Sequence, residues 1–129
     1  MFGIFESTEG KAKRLYGEYV AIAGRIEIMN EASQHAALVG LGASLQHMLS
    51  AGHGDPLTIS GAKAKRLAAS LRTASREFAN PITQLGMQLL AVVVDAGSCD
   101  HPIAHGIRGS AQGLFLDAKT EFFRSKAAA

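Results

Sequence analysis

The sequence predicts an all-α protein: a single-domain bundle of four to five helices around a central apolar helix at residues 81–95. Apolar residues recur at spacings of three and four, and no segment alternates with the period of two typical of a strand. An aspartate or asparagine stands one or two residues before each of the three prolines, which is a common helix start. Only residues 82–94 are apolar on nearly every side, as expected for the buried centre of a bundle.

Length and composition indicate one globular domain. The chain has 129 residues, of which 47% are hydrophobic and 19% are charged. We expect residues 1–6 to form an apolar N-terminal arm and residues 127–129 to fray. One cysteine excludes an internal disulfide, and the opening residues lack the pattern of a signal peptide. The mostly apolar runs are too short to span a bilayer, so we expect a cytoplasmic protein without a membrane span.

Residues 8–50 allow two interpretations. The apolar spacing continues through most of this segment but slips near residues 30–34. The segment is therefore either one long kinked helix or two helices that meet at the slip. We favour a break, because the side chains of Asn30 and Ser33 compete for backbone hydrogen bonds.

The third helix is expected to begin at Asp55-Pro56. Gly52 supplies a left-handed conformation that ends the preceding helix. Asp55 then acts as the cap, and Pro56 fits the first turn. The predicted buried stripe of this helix is Leu67, Leu71, Ala74 and Phe78.

The last two helices are separated by a short joint. Asn80-Pro81 begins the fourth helix and Gly97 ends it, after which residues 100–102 begin the fifth. The predicted apolar stripe of the fifth helix is Ile103, Ile107, Ala111, Leu114, Ala118 and Phe122. In the alternative, residues 97–109 form a loop and the helix begins at Ser110.

Metal-ligating residue types concentrate in the two joints on either side of the third and fourth helices. Alternate joints of an up-and-down bundle lie at the same end, so we expect these two to meet. Imidazole, thiolate and carboxylate groups are common ligands of divalent metals such as zinc. The candidate ligands are His53, Asp55, Cys99, Asp100, His101 and His105. The alternative is that they are polar loop residues that cap helices and face water.

The spacing of His101 and His105 alone does not define a metal site. Two helical histidines four residues apart would share a face. However, Pro102 disfavours the helical conformation at His101, which is expected to be a capping residue instead. The two imidazole rings then need not point the same way.

The last helix carries three glycines, Gly106, Gly109 and Gly113, on a second face that Leu116, Thr120 and Phe123 continue. Three helical glycines cost roughly 3 kcal/mol relative to alanine, which is easier to explain if another backbone packs there. That backbone belongs either to a neighbouring helix or to a second copy of the chain. The predicted interaction surface is Phe2, Ile4, Phe5, Gly109, Gly113, Leu116 and Phe123.

A basic segment at residues 63–76 raises the possibility of nucleic-acid binding. Lys65, Arg72 and Arg76 fall opposite the predicted apolar stripe and could contact phosphates or simply face solvent. The formal net charge of +2 is too small to imply a polyanionic partner. The following helix, residues 82–94, has no basic residue, which argues against sequence-specific DNA reading.

We therefore expect a small cytoplasmic interaction or regulatory protein that self-associates or binds a protein partner, without a cofactor. The sequence contains no complete catalytic constellation, so we do not expect an enzyme. One alternative is a metal-binding protein or metal-dependent enzyme that uses the cluster at residues 52–55 and 99–105. The other is a non-specific nucleic-acid binder that uses residues 63–76.

Overall fold

The computed structural model describes residues 6–128, which form five packed α-helices and no strand. The helices are α1 (Thr8–Glu27), α2 (Glu31–Ser50), α3 (Gly61–Ser75), α4 (Pro81–Ala96) and α5 (Pro102–Ala128). The all-α prediction is confirmed, and the number of helices is five.

The segment at residues 8–50 is two helices, α1 and α2. Asn30 is the N-cap of α2, and its side-chain oxygen accepts a hydrogen bond from the Ser33 backbone N–H at 2.9 Å. This is a common use of asparagine, because the side chain satisfies a backbone donor that has no partner within the helix. The predicted break is confirmed.

Helix α4 lies at the centre of the bundle, as its composition predicts. It contacts α1, α2, α3 and α5. Leu89, Leu90, Val93 and Val94 are fully buried, and buried residues from all five helices join the same hydrophobic core. A helix with neighbours on every side needs apolar residues on every side.

Helices α2 and α5 approach each other closely at Gly42. A Cβ atom at this position would overlap the backbone oxygen of Ala118 and lie 2.6 Å from the Cβ of Phe122. Glycine therefore sets the separation of these two helices.

The region after α2 agrees only in part with the prediction. Gly52 has a φ of +82°, and the His53 N–H donates to the Met48 carbonyl at 3.0 Å, so the predicted left-handed end of α2 is confirmed. Asp55 and Pro56, however, do not begin α3. The Asp55 side chain accepts from the Leu57 N–H at 2.9 Å and forms a turn instead, and α3 begins at Gly61.

Helix α3 buries a face that differs in part from the predicted one. The residues buried most completely are Ala64, Ala68 and Ser75, while Leu67, Leu71 and Ala74 are partly buried. Phe78 lies beyond the end of α3 and is exposed, so its place in the predicted stripe is wrong.

Helix α5 begins at Pro102, and the alternative in which residues 97–109 are a loop is wrong. The His101 ring caps this helix: its Nδ1 accepts from the Ile103 N–H at 3.1 Å. Within residues 6–128, no helix combines the length and the apolar character needed to cross a membrane.

Candidate functional site

The joint between α2 and α3 meets the joint between α4 and α5 at one end of the bundle, as the topology predicts. The Gly61 N–H donates to the Gly97 carbonyl at 3.1 Å, which ties the two joints together through the backbone. We refer to this contact region, residues 55–61 with residues 97–101, as the joint end.

Arg108 of α5 holds the joint end in place. Its guanidinium donates to the carbonyl oxygens of Pro56, at 3.1 Å, and of Ile59, and makes a longer contact of 3.5 Å with the carbonyl of Val93. Burial lowers the pKa of Arg108, and the charge of Asp55 opposes that shift. No carboxylate in the described part of the chain forms an ion pair with Arg108. The arginine is therefore a cross-link between a loop and two helices.

The candidate ligands in the second joint make separate contacts instead of converging. The Asp100 carboxylate is fully exposed and lies 3.1 Å from Nε2 of His105. His101 is occupied as the cap of α5. The thiol of Cys99 is buried and donates to the Thr8 carbonyl at 3.2 Å.

The first joint does not complete a metal site either. Asp55 accepts a hydrogen bond from its own turn, and His53 is partly buried. Among residues 6–128, no three histidine, cysteine, aspartate or glutamate side chains are placed so that they could hold a metal ion together. The joints meet because their backbones pack, and the predicted ligand set His53, Asp55, Cys99, Asp100, His101 and His105 is not assembled.

The predicted anion-binding face of α3 is also incomplete. Lys65 and Arg76 are exposed, as expected, but Arg72 is turned towards the core. Its guanidinium lies 2.6 Å from a carboxylate oxygen of Asp95 and 3.3 Å from one of Glu18. The positive charge of Arg72, one of the three predicted phosphate contacts, is therefore paired with two carboxylates.

Asp95 is the charged residue that the sequence-based reasoning missed. It is only 4% exposed and lies near the end of α4, where it contacts Lys11 at 3.2 Å as well as Arg72. The Ser98 hydroxyl also donates to it, at 3.0 Å. Burial alone would raise the pKa of Asp95, but the hydrogen bond from Arg72 and the charge of Lys11 hold it below the ordinary value. The sequence feature that points to this role is that Asp95 is the single charged residue near the end of the otherwise apolar helix α4.

This cluster continues along the surface of α1. Arg14 lies 2.9 Å from both Glu18 and Glu6, so positive and negative groups alternate from Glu6 to Asp95. In the described residues, every buried side-chain nitrogen and oxygen has a hydrogen-bond partner. The arrangement holds α1, α3 and α4 together through ion pairs.

One face of α5 is open to solvent. Six residues on this face are all exposed and follow alternating spacings of three and four. They are Gly106, Gly109, Gly113, Leu116, Thr120 and Phe123, and we call this set the α5 seam. The spacing confines them to a stripe about 100° wide, and the alternation of three and four is the pattern of a coiled-coil contact.

Nothing within residues 6–128 covers the α5 seam. A Cβ atom at Gly106, Gly109 or Gly113 would have no neighbour within 4 Å. Leu116 is 65% exposed and Phe123 is 53% exposed. The neighbouring helix that the sequence offered as one explanation of the glycines is therefore absent from the described part of the chain.

A groove of about 500 Å³ runs beside the α5 seam. Gly109, Gly113 and Leu116 form one side, and the turn at Pro56 and Leu57, which Arg108 fixes, forms the other. The remaining members of the predicted interaction surface, Phe2, Ile4 and Phe5, lie outside the described residues.

Comparison with protein-family models, with curated proteins and with solved structures finds no match to this chain.

Proposed function

We propose that this protein is a small cytoplasmic interaction or regulatory module that self-associates through the α5 seam. The observation that carries the proposal is the exposed stripe of six residues with coiled-coil spacing on a helix that is otherwise packed on the bundle. A stripe of this kind offers a second helix a narrow seam on which to pack.

The residue types on the α5 seam fit an interface better than a solvated face. Glycine within a helix costs about 1 kcal/mol relative to alanine, and three occur here at positions where nothing in the described chain would prevent a side chain. Leu116 and Phe123 add two large exposed apolar side chains to the same stripe. Close approach of another helix would use the glycines and bury both apolar groups.

The metal and nucleic-acid alternatives have less support. The candidate ligands at the joint end make unrelated contacts, and Arg72 is paired with Asp95 and Glu18. Neither alternative gains an observation to match the uncovered face of α5.

Sedimentation velocity from micromolar to millimolar protein tests the proposal. The unmodified protein is expected to form a dimer, and Phe123→Glu should shift it towards the monomer by placing a charge in the seam. Tyr16→Glu is the matched control, because Tyr16 is 51% exposed but lies on α1. That variant should associate like the unmodified protein.

Circular dichroism melts establish that both variants are folded. A protein that remains strictly monomeric at millimolar concentration would contradict the proposal. Equal loss of association in the two variants would place the contact elsewhere.

A further inference from the structure

We infer that two copies of the protein pair through α5 in an antiparallel orientation, with the two-fold axis between the levels of Leu114 and Phe115. This inference rests on the proposed function, because it specifies how the α5 seam is used. Two-fold pairing is the commonest symmetry of homo-oligomers, and each residue pair then occurs twice.

The order of small and large residues along the α5 seam carries the inference. All three glycines lie in its first half, and all three larger residues lie in its second half. An antiparallel seam superimposes the first half of one helix on the second half of the other. It places Gly106 opposite the partner's Phe123, Gly109 opposite the partner's Thr120, and Gly113 opposite the partner's Leu116.

Every layer of this arrangement therefore joins a glycine to a larger side chain. Such pairing fills each layer evenly, as complementary packing requires. A parallel arrangement would instead place glycine on glycine at one end and Phe123 on the partner's Phe123 at the other. The helices would then have to approach at one end and separate at the other.

Charges beside the α5 seam favour the same orientation. A parallel pair brings Lys119 next to the partner's Arg124, which is a like-charge contact of the kind that sets orientation in coiled coils. The antiparallel pair brings Lys119 next to the partner's Gln112, and Asp117 next to the partner's Ser110. Both of these contacts allow a hydrogen bond to a charged group.

One further antiparallel contact lies at the ends of the seam, between His105 and the partner's Lys126. His105 already lies 3.1 Å from the carboxylate of Asp100, so a negative charge accompanies this pair. The antiparallel arrangement contains no pair of permanently like charges among these flanking positions.

The groove beside the α5 seam provides space for the partner. It opens at Gly109 and Gly113, which are the positions opposite the partner's Thr120 and Leu116. The turn at Pro56 and Leu57 forms a fixed second wall, because Arg108 binds its backbone. A partner helix on the seam would contact both walls.

Disulfide trapping tests the orientation. In a Cys99→Ser background, Gly109→Cys and Thr120→Cys are prepared separately and oxidised mildly, alone and as an equal mixture. Antiparallel pairing predicts a covalent dimer in the mixture and little in either variant alone. The two copies of one position would be separated by about 16 Å along the helix axis, whereas a disulfide needs Cα atoms within about 7 Å.

Gly17→Cys in the same background is the control for random collision, because Gly17 is exposed on α1 and nothing lies near it. Rapid cross-linking of each seam variant with itself would show a parallel pair and overturn the inference. No cross-link in a protein that sediments as a dimer would also overturn it while leaving self-association intact. A monomer would instead contradict the proposed function.

Discussion

Gly97 and the guanidinium group of Arg108 occupy adjoining space so closely that a Cβ atom on Gly97 would overlap the arginine. The same atom would overlap the carbonyl oxygen of Ile59. Gly97 has a φ of −70°, so an ordinary helical backbone does not require glycine here. The glycine is needed for space, because Arg108 crosses this point to reach the carbonyl groups of the loop.

Gly97→Ala should therefore destabilise the protein by disrupting the contact between the two joints. We expect a loss of about 3 kcal/mol in the free energy of unfolding, because backbone and a buried arginine must both move. Gly24→Ala is the control: it lies within α1, its Cβ would meet nothing within 4 Å, and it should stabilise by about 0.5–1 kcal/mol. Urea denaturation measures both, and equal effects would contradict the packing described at Gly97.

Gly42 and Gly40 offer a second comparison, within a single helix. Gly42→Ala should destabilise by about 2–4 kcal/mol, because the new methyl group would meet the α5 backbone at Ala118. Gly40→Ala meets no atom within 4 Å and should be neutral or stabilising. Thermal melts of the two variants give the difference directly, and a stable Gly42→Ala protein would show that α2 and α5 are not closely packed.

The charge of Asp95 should contribute several times more to the free energy of unfolding than the charge of an exposed carboxylate. Asp95→Asn keeps the size of the side chain but leaves Lys11 and Arg72 without their buried partner. We expect a loss of about 3 kcal/mol, near the lower limit for breaking a buried ion pair. Glu9→Gln removes a charge from an exposed pair on α1 and should cost less than about 1 kcal/mol. Similar losses in the two variants, measured by urea denaturation, would be evidence against the buried cluster.

Acid should remove the contribution of Asp95 in a defined pH range. The pKa of Asp95 is lower in the folded protein than in the unfolded chain, so its ionised form stabilises the fold above the unfolded pKa of about 3.9. This stabilisation disappears as the pH falls through the lower, folded pKa. The stability difference between the unmodified protein and Asp95→Asn should therefore shrink as the pH falls below about 4. A difference that is constant over this range would contradict the lowered pKa.

The thiol of Cys99 should react slowly in the folded protein. Burial raises its pKa, although the charge of Lys11 opposes the shift, and the thiolate is the reactive form. Labelling with a thiol reagent should be slow in the folded state and fast in guanidinium chloride. Gly17→Cys in a Cys99→Ser chain provides an exposed thiol for comparison. Equal labelling rates for the two folded proteins would show that Cys99 is accessible.

Local chemistry accounts for what the sequence predicts correctly. The break before α2 follows from a cap made by Asn30 with a residue three positions away. The left-handed conformation at Gly52 is likewise a property of a few consecutive residues. The α5 seam is a periodic pattern within one helix, and it is continuous because α5 begins early enough to include Gly106.

Contacts between distant parts of the chain account for the errors. The dipeptide Asp55-Pro56 is compatible with either a helix start or a turn. In this protein it forms a turn, and Arg108, which lies far along the chain, binds the carbonyl group of Pro56. The angular position of Arg72 on α3 places it opposite the predicted apolar stripe, where it would face solvent or phosphates. In the structure its guanidinium instead binds Asp95, which lies 23 positions away in the sequence. Periodicity describes one helix and contains no information about the charges on its neighbours.

The bonds made by Arg108 have a consequence for how the protein comes apart. The carbonyl oxygens that Arg108 binds stay unprotonated as the pH falls, whereas Asp95, the carboxylate that joins α1 and α3 to α4, gains a proton below about pH 4. As the pH falls, the contacts of Asp95 with Lys11 and Arg72 should therefore weaken before the contacts of Arg108 with the loop. Helix α1 should loosen first, while the loop before α3 stays attached to α4 and α5.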